Sequence, residues 1–191
     1  MGTLGSIAYL RPCTEADDAF VYDVFCTTWE SEVAALPNQN LAQHVLRIQH
    51  IAQERRFAAR YPRHQRFLVL EDGEPAGRLY VHETDSSMHV VDLTLMPAFR
   101  DRGIGTRIFQ DLFRHAEAAD QSISLRVERR NERATMLYSA LGFDLVTVDD
   151  LDNFFEWRPT SLTKEGPAGV TKEDATASTK EDRVGLLHDR T

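Results

Sequence analysis

The chain has 191 residues, 42% of them hydrophobic, and a net charge of −8 at pH 7, which suits one domain of about 150 residues plus an appendage. The acidic balance argues against nucleic acid as a partner, because phosphate backbones are bound by broad basic faces. Two cysteines make neither a disulfide framework nor a metal cluster, and no apolar run suits a signal peptide or a membrane span. We therefore expect a cytoplasmic protein with no metal and no membrane partner.

The N-terminal part is predicted to form one strand and two helices. Residues 7–11 alternate as in a half-buried strand. Thr14 and Asp17 are typical of a helix start, and that helix extends to about residue 28. Residues 41–60 have apolar side chains at helical spacing, namely Leu41, Val45, Ile48 and Ala52.

Three strands follow. Residues 67–70 and 78–81 flank Asp72-Gly73, a pair that strongly favours a tight hairpin turn. Residues 89–95 form the next predicted strand. Strands joined in this way are expected to be antiparallel.

The most informative pattern begins beyond that strand, where Arg100-x-x-Gly103-x-Gly105 opens an amphipathic helix over residues 103–119. Glycines allow close approach to the backbone, and free amides at a helix start bind anions, so a phosphate-bearing ligand is expected. Residues 100–133 carry eight arginines against six acidic residues, which also suits an anionic ligand.

Two familiar nucleotide-binding motifs do not fit this loop. A dinucleotide-binding turn needs Gly or Ala where Ile108 stands, and a Walker loop needs Gly-Lys-Ser/Thr, which does not occur. A glycine-rich helix start without any ligand stays open on this motif alone.

A second pattern follows a predicted strand at residues 123–127. It consists of Asn131-x-x-Ala134-x-x-x-Tyr138 with Gly142-Phe143 behind it, on a helix over residues 131–141. The offsets place its first three residues on one stripe of that helix. Taken singly, they could be a cap, a spacer and a core ring. Two further strands are predicted at residues 143–148 and 154–158.

Together the two patterns resemble the GNAT superfamily of N-acetyltransferases. The resemblance is strong over residues 88–143, weaker back to residue 7 and absent after residue 158. It rests on Arg100, Gly103, Gly105, Asn131, Ala134, Tyr138, Gly142 and Phe143. It implies a mixed α/β (α+β) fold with a mostly antiparallel, splayed sheet of about seven strands and about four flanking helices. The sheet is expected to open between its fourth and fifth strands.

The resemblance also implies transfer of an acetyl group from acetyl-CoA, the co-substrate, to a primary amine by direct attack in a ternary complex. Tyr138 would protonate the departing sulfur. The residues implied in binding acetyl-CoA are Leu93, Thr94, Leu95, Met96, Arg100, Asp101, Arg102, Gly103, Ile104, Gly105, Thr106, Asn131, Ala134 and Tyr138.

The general base is the open point. Some relatives have an acidic residue on the strand after the long helix, but Arg126 stands at that position. Others use the preceding strand, which here offers His89 and Asp92. Three residues apart, these face opposite sides of a regular strand and share a side only if a bulge lies between them. We prefer Asp92. The alternative for each residue is a structural role, with His89 facing solvent and Asp92 making hydrogen bonds at the strand edge.

The amine acceptor is predicted to be a small amine or a peptide amine. The helix at 41–60, with Arg63 and Arg66, would shape its site, and a cationic acceptor could be bound by acidic residues, namely Glu30, Glu32 and Glu128. A non-catalytic acyl-CoA-binding regulatory module is the alternative, as is an acyltransferase for longer acyl chains. Tyr138 argues against a mere binder. A homodimer stays open.

The domain is predicted to span residues 1–158 and to precede a disordered tail at 159–191. Thr-Lys-Glu repeats recur there every eight residues among small side chains, with too little apolar surface to offset ordering entropy. All three lysines of the chain lie in this tail: Lys164, Lys172 and Lys180. Self-acetylation is one hypothesis, which intact-mass measurement with acetyl-CoA tests; an unshifted mass would reject it.

Overall fold

The structure is a computed structural model that describes residues 4–163. Seven strands form one sheet in the order β1-β2-β3-β4-β5-β7-β6, in which only β4 and β5 pair in parallel. The strands are β1 (Leu10–Pro12), β2 (Gln65–Glu71), β3 (Glu74–Glu83), β4 (Ser87–Leu95), β5 (Ser122–Glu128), β6 (Asp144–Val148) and β7 (Asp152–Trp157). This confirms the predicted mixed α/β fold with a mostly antiparallel sheet.

Helices cover both faces of the sheet. They are α1 (Asp18–Cys26), α2 (Glu30–Ala34), α3 (Gln39–Arg60), α4 (Ile104–Ala119), α5 (Glu132–Ala140) and the single turn α6 (Thr160–Thr163). Side chains of α1 and α3 pack on Leu68 and Tyr80, whereas α4 and α5 pack on the larger core cluster around Leu79 and Val81. We call these two sides the α3 face and the α4 face.

The structure differs from the prediction at two elements. The first strand begins at Leu10 rather than at residue 7, because Leu4–Ser6 form a 3₁₀ turn and the Leu10 amide bonds the Ile7 carbonyl at 2.9 Å. The short helix α2 was not predicted, because five residues carry too little periodicity to be recognised.

Helix α4 packs on the core below the segment of residues 100–103 that precedes it, which we call the glycine loop. Its inward residues are nearly inaccessible, namely Ile104, Ile108, Phe109, Leu112 and Ala116. Four-residue spacing lines these side chains along one face of the helix, and their burial stabilises both the helix and the loop before it.

The sheet opens between β4 and β5. These strands pair only from Ser87–Ser122 to Val90–Leu125, although each continues for several residues beyond. The far half of β4, residues 91–95, therefore has no β5 partner at its edge. This opening, which we call the split, lies between the fourth and fifth strands, as the family resemblance implied.

The predicted tail falls mostly outside the described residues. Residues 160–163 form α6, in which the Ser161 hydroxyl donates a hydrogen bond to Asp120, and residues 164–191 are not described. The domain boundary, the disorder of the tail and the acetylation of its three lysines therefore remain predictions. Among the helices within residues 4–163, none combines the length and the hydrophobicity that a bilayer crossing requires.

Candidate active site

The edge of β4 that faces the split carries backbone groups with no strand beside them. The Met96 amide bonds the Ala76 carbonyl of β3 at 2.9 Å. Because successive residues of a strand turn their amides to opposite edges, the Leu95 amide faces the split. The split therefore has a backbone donor at the end of β4.

A bulge in β4 decides which side chains reach this region. Tyr80 pairs with Asp92, but the next residue of β3, Val81, pairs with Val90, so Val91 is the extra residue. His89 and Asp92 consequently lie on the same side, the α3 face. This is the condition that the sequence left open.

Asp92 lies just past the bulge, beside the split. Its Oδ2 accepts a hydrogen bond of 2.7 Å from Nε of Arg78, and its Oδ1 is 3.3 Å from the hydroxyl of Thr94. The strongest contact therefore engages one oxygen of the carboxylate.

His89 lies in the closed half of the sheet, where it pairs with Ser124. Its Nδ1 is 2.9 Å from the Ser124 hydroxyl, its Nε2 is 2.8 Å from the Tyr61 hydroxyl, and the Tyr61 ring stacks on it. Burial, followed by the positive charge of Arg126, lowers the pKa of His89 to about 3. The ring is neutral at pH 7 and has little affinity for a further proton.

Tyr138 enters the region from α5 on the opposite face. Its ring packs edge-on against Phe109 and Phe143, and its hydroxyl has no hydrogen-bond partner within residues 4–163. Burial and then the negative charge of Asp92 raise the pKa of Tyr138 to about 12. The negative charge of Asp92 thus affects the pKa of the phenol across the split, and the phenol stays protonated at neutral pH.

The glycine loop presents a row of free backbone donors. Asp101 and Gly103 have positive φ angles of 62° and 75°, which curve the chain between β4 and α4. Within the described residues, none of the amides from 101 to 106 has a hydrogen-bond partner. Consecutive unpaired amides at the start of a 16-residue helix form a concavity suited to an anion.

Arg100 stabilises this loop with its side chain. Its Nε donates to the Leu95 carbonyl at 3.0 Å, an Nη donates to the Thr27 hydroxyl at 3.1 Å, and its own amide bonds the Pro97 carbonyl at 3.2 Å. Arg100 thus joins the end of β4 to the end of α1, and its amide is not one of the free donors.

The other residues of the predicted coenzyme site border the split. Leu93 and Leu95 pack against the core on the α4 face. Asn131 caps α5 by accepting a hydrogen bond of 3.0 Å from the Ala134 amide. A Cβ added to Gly105 would lie 3.9 Å from Leu137, so α4 and α5 approach closely here.

The charged residues predicted for the acceptor site lie in separate places. Glu32 of α2 and Glu128 of β5 both pair with Arg130. Arg126, which stands where some relatives have an acidic residue, lies 3.5 Å from Asp149. On the other side of the α3 face, the Arg66 guanidinium contacts Asp18 and Glu54 and lies over the Tyr80 ring, while Glu30 and Arg63 are exposed. These residues do not converge on one point, and within residues 4–163 no three His, Cys, Asp or Glu side chains form a metal-binding group.

Sequence reasoning missed a polar cluster behind Asp92. It consists of Gln53 and Glu54 of α3 and Arg78 of β3, whose side chain is 1% exposed. An arginine within the apolar run of β3 was the available signal, but its partners lie far away along the chain.

Sequence comparison identifies the family. A profile of the Acetyltransferase (GNAT) family matches residues 21–143, which include both motifs and the strands that border the split. The chain belongs to the GNAT acetyltransferase family. As a member of it, the protein is an acyltransferase. A comparison with curated proteins finds no significant match.

Solved acetyltransferases share the fold of this GNAT family member. The PaiA N-acetyltransferase from Thermoplasma acidophilum, in complex with coenzyme A, is 16% identical with a TM-score of 0.59, over 78% of this chain and 97% of that chain. An acetyltransferase from Thermus thermophilus is 19% identical with a TM-score of 0.57, over 78% and 95%. The ribosomal-protein-S18-alanine N-acetyltransferase from Escherichia coli is 17% identical with a TM-score of 0.54, over 78% and 92%.

Proposed function

We propose that this GNAT family member transfers the acetyl group of acetyl-CoA to a primary amine by direct attack in a ternary complex. One observation carries the proposal: the split brings a free backbone amide, an anion-binding loop, a phenol and a carboxylate to one place. A neutral N–H at the end of β4 faces the position that the thioester would occupy.

The loop and the split supply the coenzyme site of this proposal. The diphosphate would bind the free amides of residues 101–106, and the pantetheine arm would lie beside residues 93–96. The Leu95 amide is then the donor for the thioester oxygen. One preorganised donor of this kind contributes ~3–4 kcal/mol in well-studied acyl-transfer sites.

Asp92 is the base in this proposal. For a lysine-like amine with a pKa near 10.4, deprotonation at pH 7 costs roughly 4–5 kcal/mol of free energy. The proton therefore needs an acceptor, which it reaches directly or through water. Asp92 lies beside the split, whereas His89 is enclosed in the closed half of the sheet with a pKa of about 3. The geometry therefore favours Asp92 over His89.

Tyr138 is the acid. The neutral amine forms the N–C bond, the C–S bond breaks, and coenzyme A leaves as a thiolate that takes the phenol proton. A pKa of about 12 keeps that proton on Tyr138 until the thiolate forms. The ammonium proton goes to Asp92 and from there to water. The second nitrogen proton, released as the amide forms, goes to the Tyr138 phenolate directly or through water, so the phenol is regenerated and the step balances.

A non-catalytic binder of acyl-CoA is the alternative. It would have no use for a phenol and a carboxylate that approach the split from opposite faces. An enzyme for longer acyl chains would keep the same groups and differ only in the depth of the pocket between β4 and β5.

The test combines binding and turnover. Calorimetry measures binding of CoA, and release of free thiol from acetyl-, propionyl- and butyryl-CoA is followed with polyamines, aminoglycosides, amino acids and peptides. Turnover with acetyl-CoA and an amine supports the proposal. Saturable binding with no turnover supports the binder instead, and absence of binding by folded protein rejects both.

A further inference from the structure

The feature that the proposed chemistry leaves unexplained is the buried charge of Arg78. It lies on β3, and its immediate neighbours Gly77 and Leu79 are fully buried, as is its own side chain. Removing a guanidinium from water is costly unless its donors are used by partners. An apolar side chain of similar size would avoid this cost, so the role of the charge has to be sought in its contacts.

The contacts of Arg78 form a bridge from α3 to β4. Its Nε donates to Asp92 at 2.7 Å, and one Nη donates to Oε1 of Gln53 at 2.8 Å. The other Nη is 3.6 Å from a carboxylate oxygen of Glu54, and the guanidinium lies over the Tyr80 ring at 5.1 Å. The rigid, planar fork of arginine thereby fixes the directions of the three polar contacts at once.

The bridge is incomplete as a stabilising network. Among residues 4–163 the Nη beside Glu54 finds no hydrogen-bond partner although it is buried, and the Tyr80 hydroxyl already donates to the same carboxylate oxygen at 3.3 Å. A network built for stability alone satisfies its buried donors. The two short contacts of Arg78 are those that connect Gln53 to Asp92.

The bulge explains why Asp92 needs such a contact. Past Val91, β4 has no β5 neighbour, so its side chains on that edge lack the packing that a cross-strand partner supplies. Thr94 touches Asp92 only weakly, at 3.3 Å. Arg78 is the firm contact that limits the rotation of the carboxylate.

We infer that Arg78, held by Gln53 and Glu54 of α3, is a positioning residue that sets the direction of the Asp92 carboxylate toward the acceptor amine. The inference rests on the proposed function, since it requires Asp92 to handle the amine. Arg78 itself touches neither the amine nor acetyl-CoA and acts through Asp92.

A double-mutant cycle tests this dependence. The variants are Arg78→Lys, Gln53→Leu and Asp92→Asn, alone and in pairs, and kcat is measured by thiol release with the best amine of the panel. Lysine keeps the charge but cannot hold Asp92 and Gln53 together, so we expect a loss of about a hundredfold for Arg78→Lys and about tenfold for Gln53→Leu. The KM for acetyl-CoA should stay within about twofold.

The deciding readout is non-additivity. If Arg78 acts only through Asp92, either substitution in the Asp92→Asn background lowers kcat by no more than about twofold further. A merely structural role would lower kcat by the same factor in both backgrounds. The inference is overturned if the fold losses of kcat in the single variants multiply in the double variants. It is also overturned if the single variants lose no activity.

Gln121→Leu is the matched control. Gln121 is a buried glutamine, whereas Gln53 is half-buried, and Gln121 donates to the Thr84 carbonyl at 2.7 Å near the closed end of the sheet, away from Asp92. Its loss should lower the melting temperature at least as much as Gln53→Leu does while kcat is unchanged. If the unaltered protein acetylates no amine, the proposed function has failed; if it does and the cycle is additive, only the positioning role has failed.

Discussion

Tyr138 and Asp92 belong to different elements and opposite faces, yet the charge of one affects the ionisation of the other. The phenol ring packs against Phe109, Phe143 and Phe155. Burial, followed by the negative charge of the carboxylate, raises its pKa to about 12. A protonated hydroxyl with no hydrogen-bond partner in the described part of the chain is suited to donate a proton to a thiolate.

Replacement of Tyr138 by phenylalanine tests that role. The ring packing is retained and only the proton donor is lost, so kcat should fall about a hundredfold or more while the Kd of CoA stays within about twofold. Steady-state kinetics and calorimetry measure the two quantities. Tyr22→Phe on α1 is the control, and an unchanged kcat in Tyr138→Phe would remove the phenol from the mechanism.

His89 predicts a pH dependence of stability. Its pKa is about 3 in the folded protein against 6.5 in the unfolded chain, so below pH 6.5 the unfolded chain binds the proton more readily. The stabilisation is complete above that pH and falls as the pH decreases toward 3. From pH 7 to pH 5 the loss is about 2 kcal/mol.

Urea unfolding of the protein and of His89→Gln at these two pH values measures the difference. Other titrating groups are common to both proteins and cancel, so the variant should lose about 2 kcal/mol less than the unaltered protein. Equal losses would show that the imidazole is not held neutral by its surroundings.

At the scale of elements, the loop before α4 and the bulge in β4 have different effects on the site. The loop exposes amides because its φ angles alternate in sign, and the burial of α4 holds that shape against the core. The bulge turns Asp92 to the α3 face. Both are backbone features, and a substitution that changes backbone preference should therefore affect them most.

Gly103→Ala is the corresponding test. At φ 75° an added Cβ meets nothing within 4 Å, so the substitution introduces backbone strain without a clash. We expect a loss of about 1 kcal/mol in stability and a weaker affinity for CoA, because the loop relaxes away from the concave shape. Calorimetry with CoA measures the affinity.

Gly73→Ala is its matched control. Gly73 has φ 84°, also has no atom within 4 Å of an added Cβ, and lies in the β2–β3 turn. It should show the same loss of stability with unchanged affinity for CoA. Equal effects of both variants on CoA binding would separate the glycine loop from the coenzyme site.

The elements also show where sequence patterns were sufficient. The four-residue spacing in α4 and the Asp72-Gly73 turn are local signals, and both elements formed as predicted. Helix α2 was missed and β1 was displaced, because short segments carry weak periodicity and a neighbouring turn can take over their hydrogen bonds.

At the scale of the whole molecule, the split couples ligand binding to the stability of the fold. A ligand that joins β4, the loop and α5 binds only the folded chain and raises its melting temperature. At a CoA concentration of 100 times Kd the gain is about 2.7 kcal/mol, or roughly 5–10 °C for a domain of this size.

Differential scanning calorimetry with CoA and with pantetheine checks this expectation. Pantetheine lacks the diphosphate that the free amides of residues 101–106 would bind, so at equal concentration its shift should be the smaller one. Equal shifts from both compounds would indicate that the loop does not hold the diphosphate.

Local patterns in the chain were enough to predict the family, the order of the main elements and the glycine loop, because these depend on short-range spacing and on residue types that few backbones accept. The place of the split followed only from the family resemblance. The folded molecule was needed to show that a bulge at Val91 places Asp92 and His89 on one face, and that His89 lies in the closed half of the sheet. It was needed as well to bring Gln53 and Arg78 behind Asp92. Register and burial arise when distant segments pack together, so no single segment encodes them.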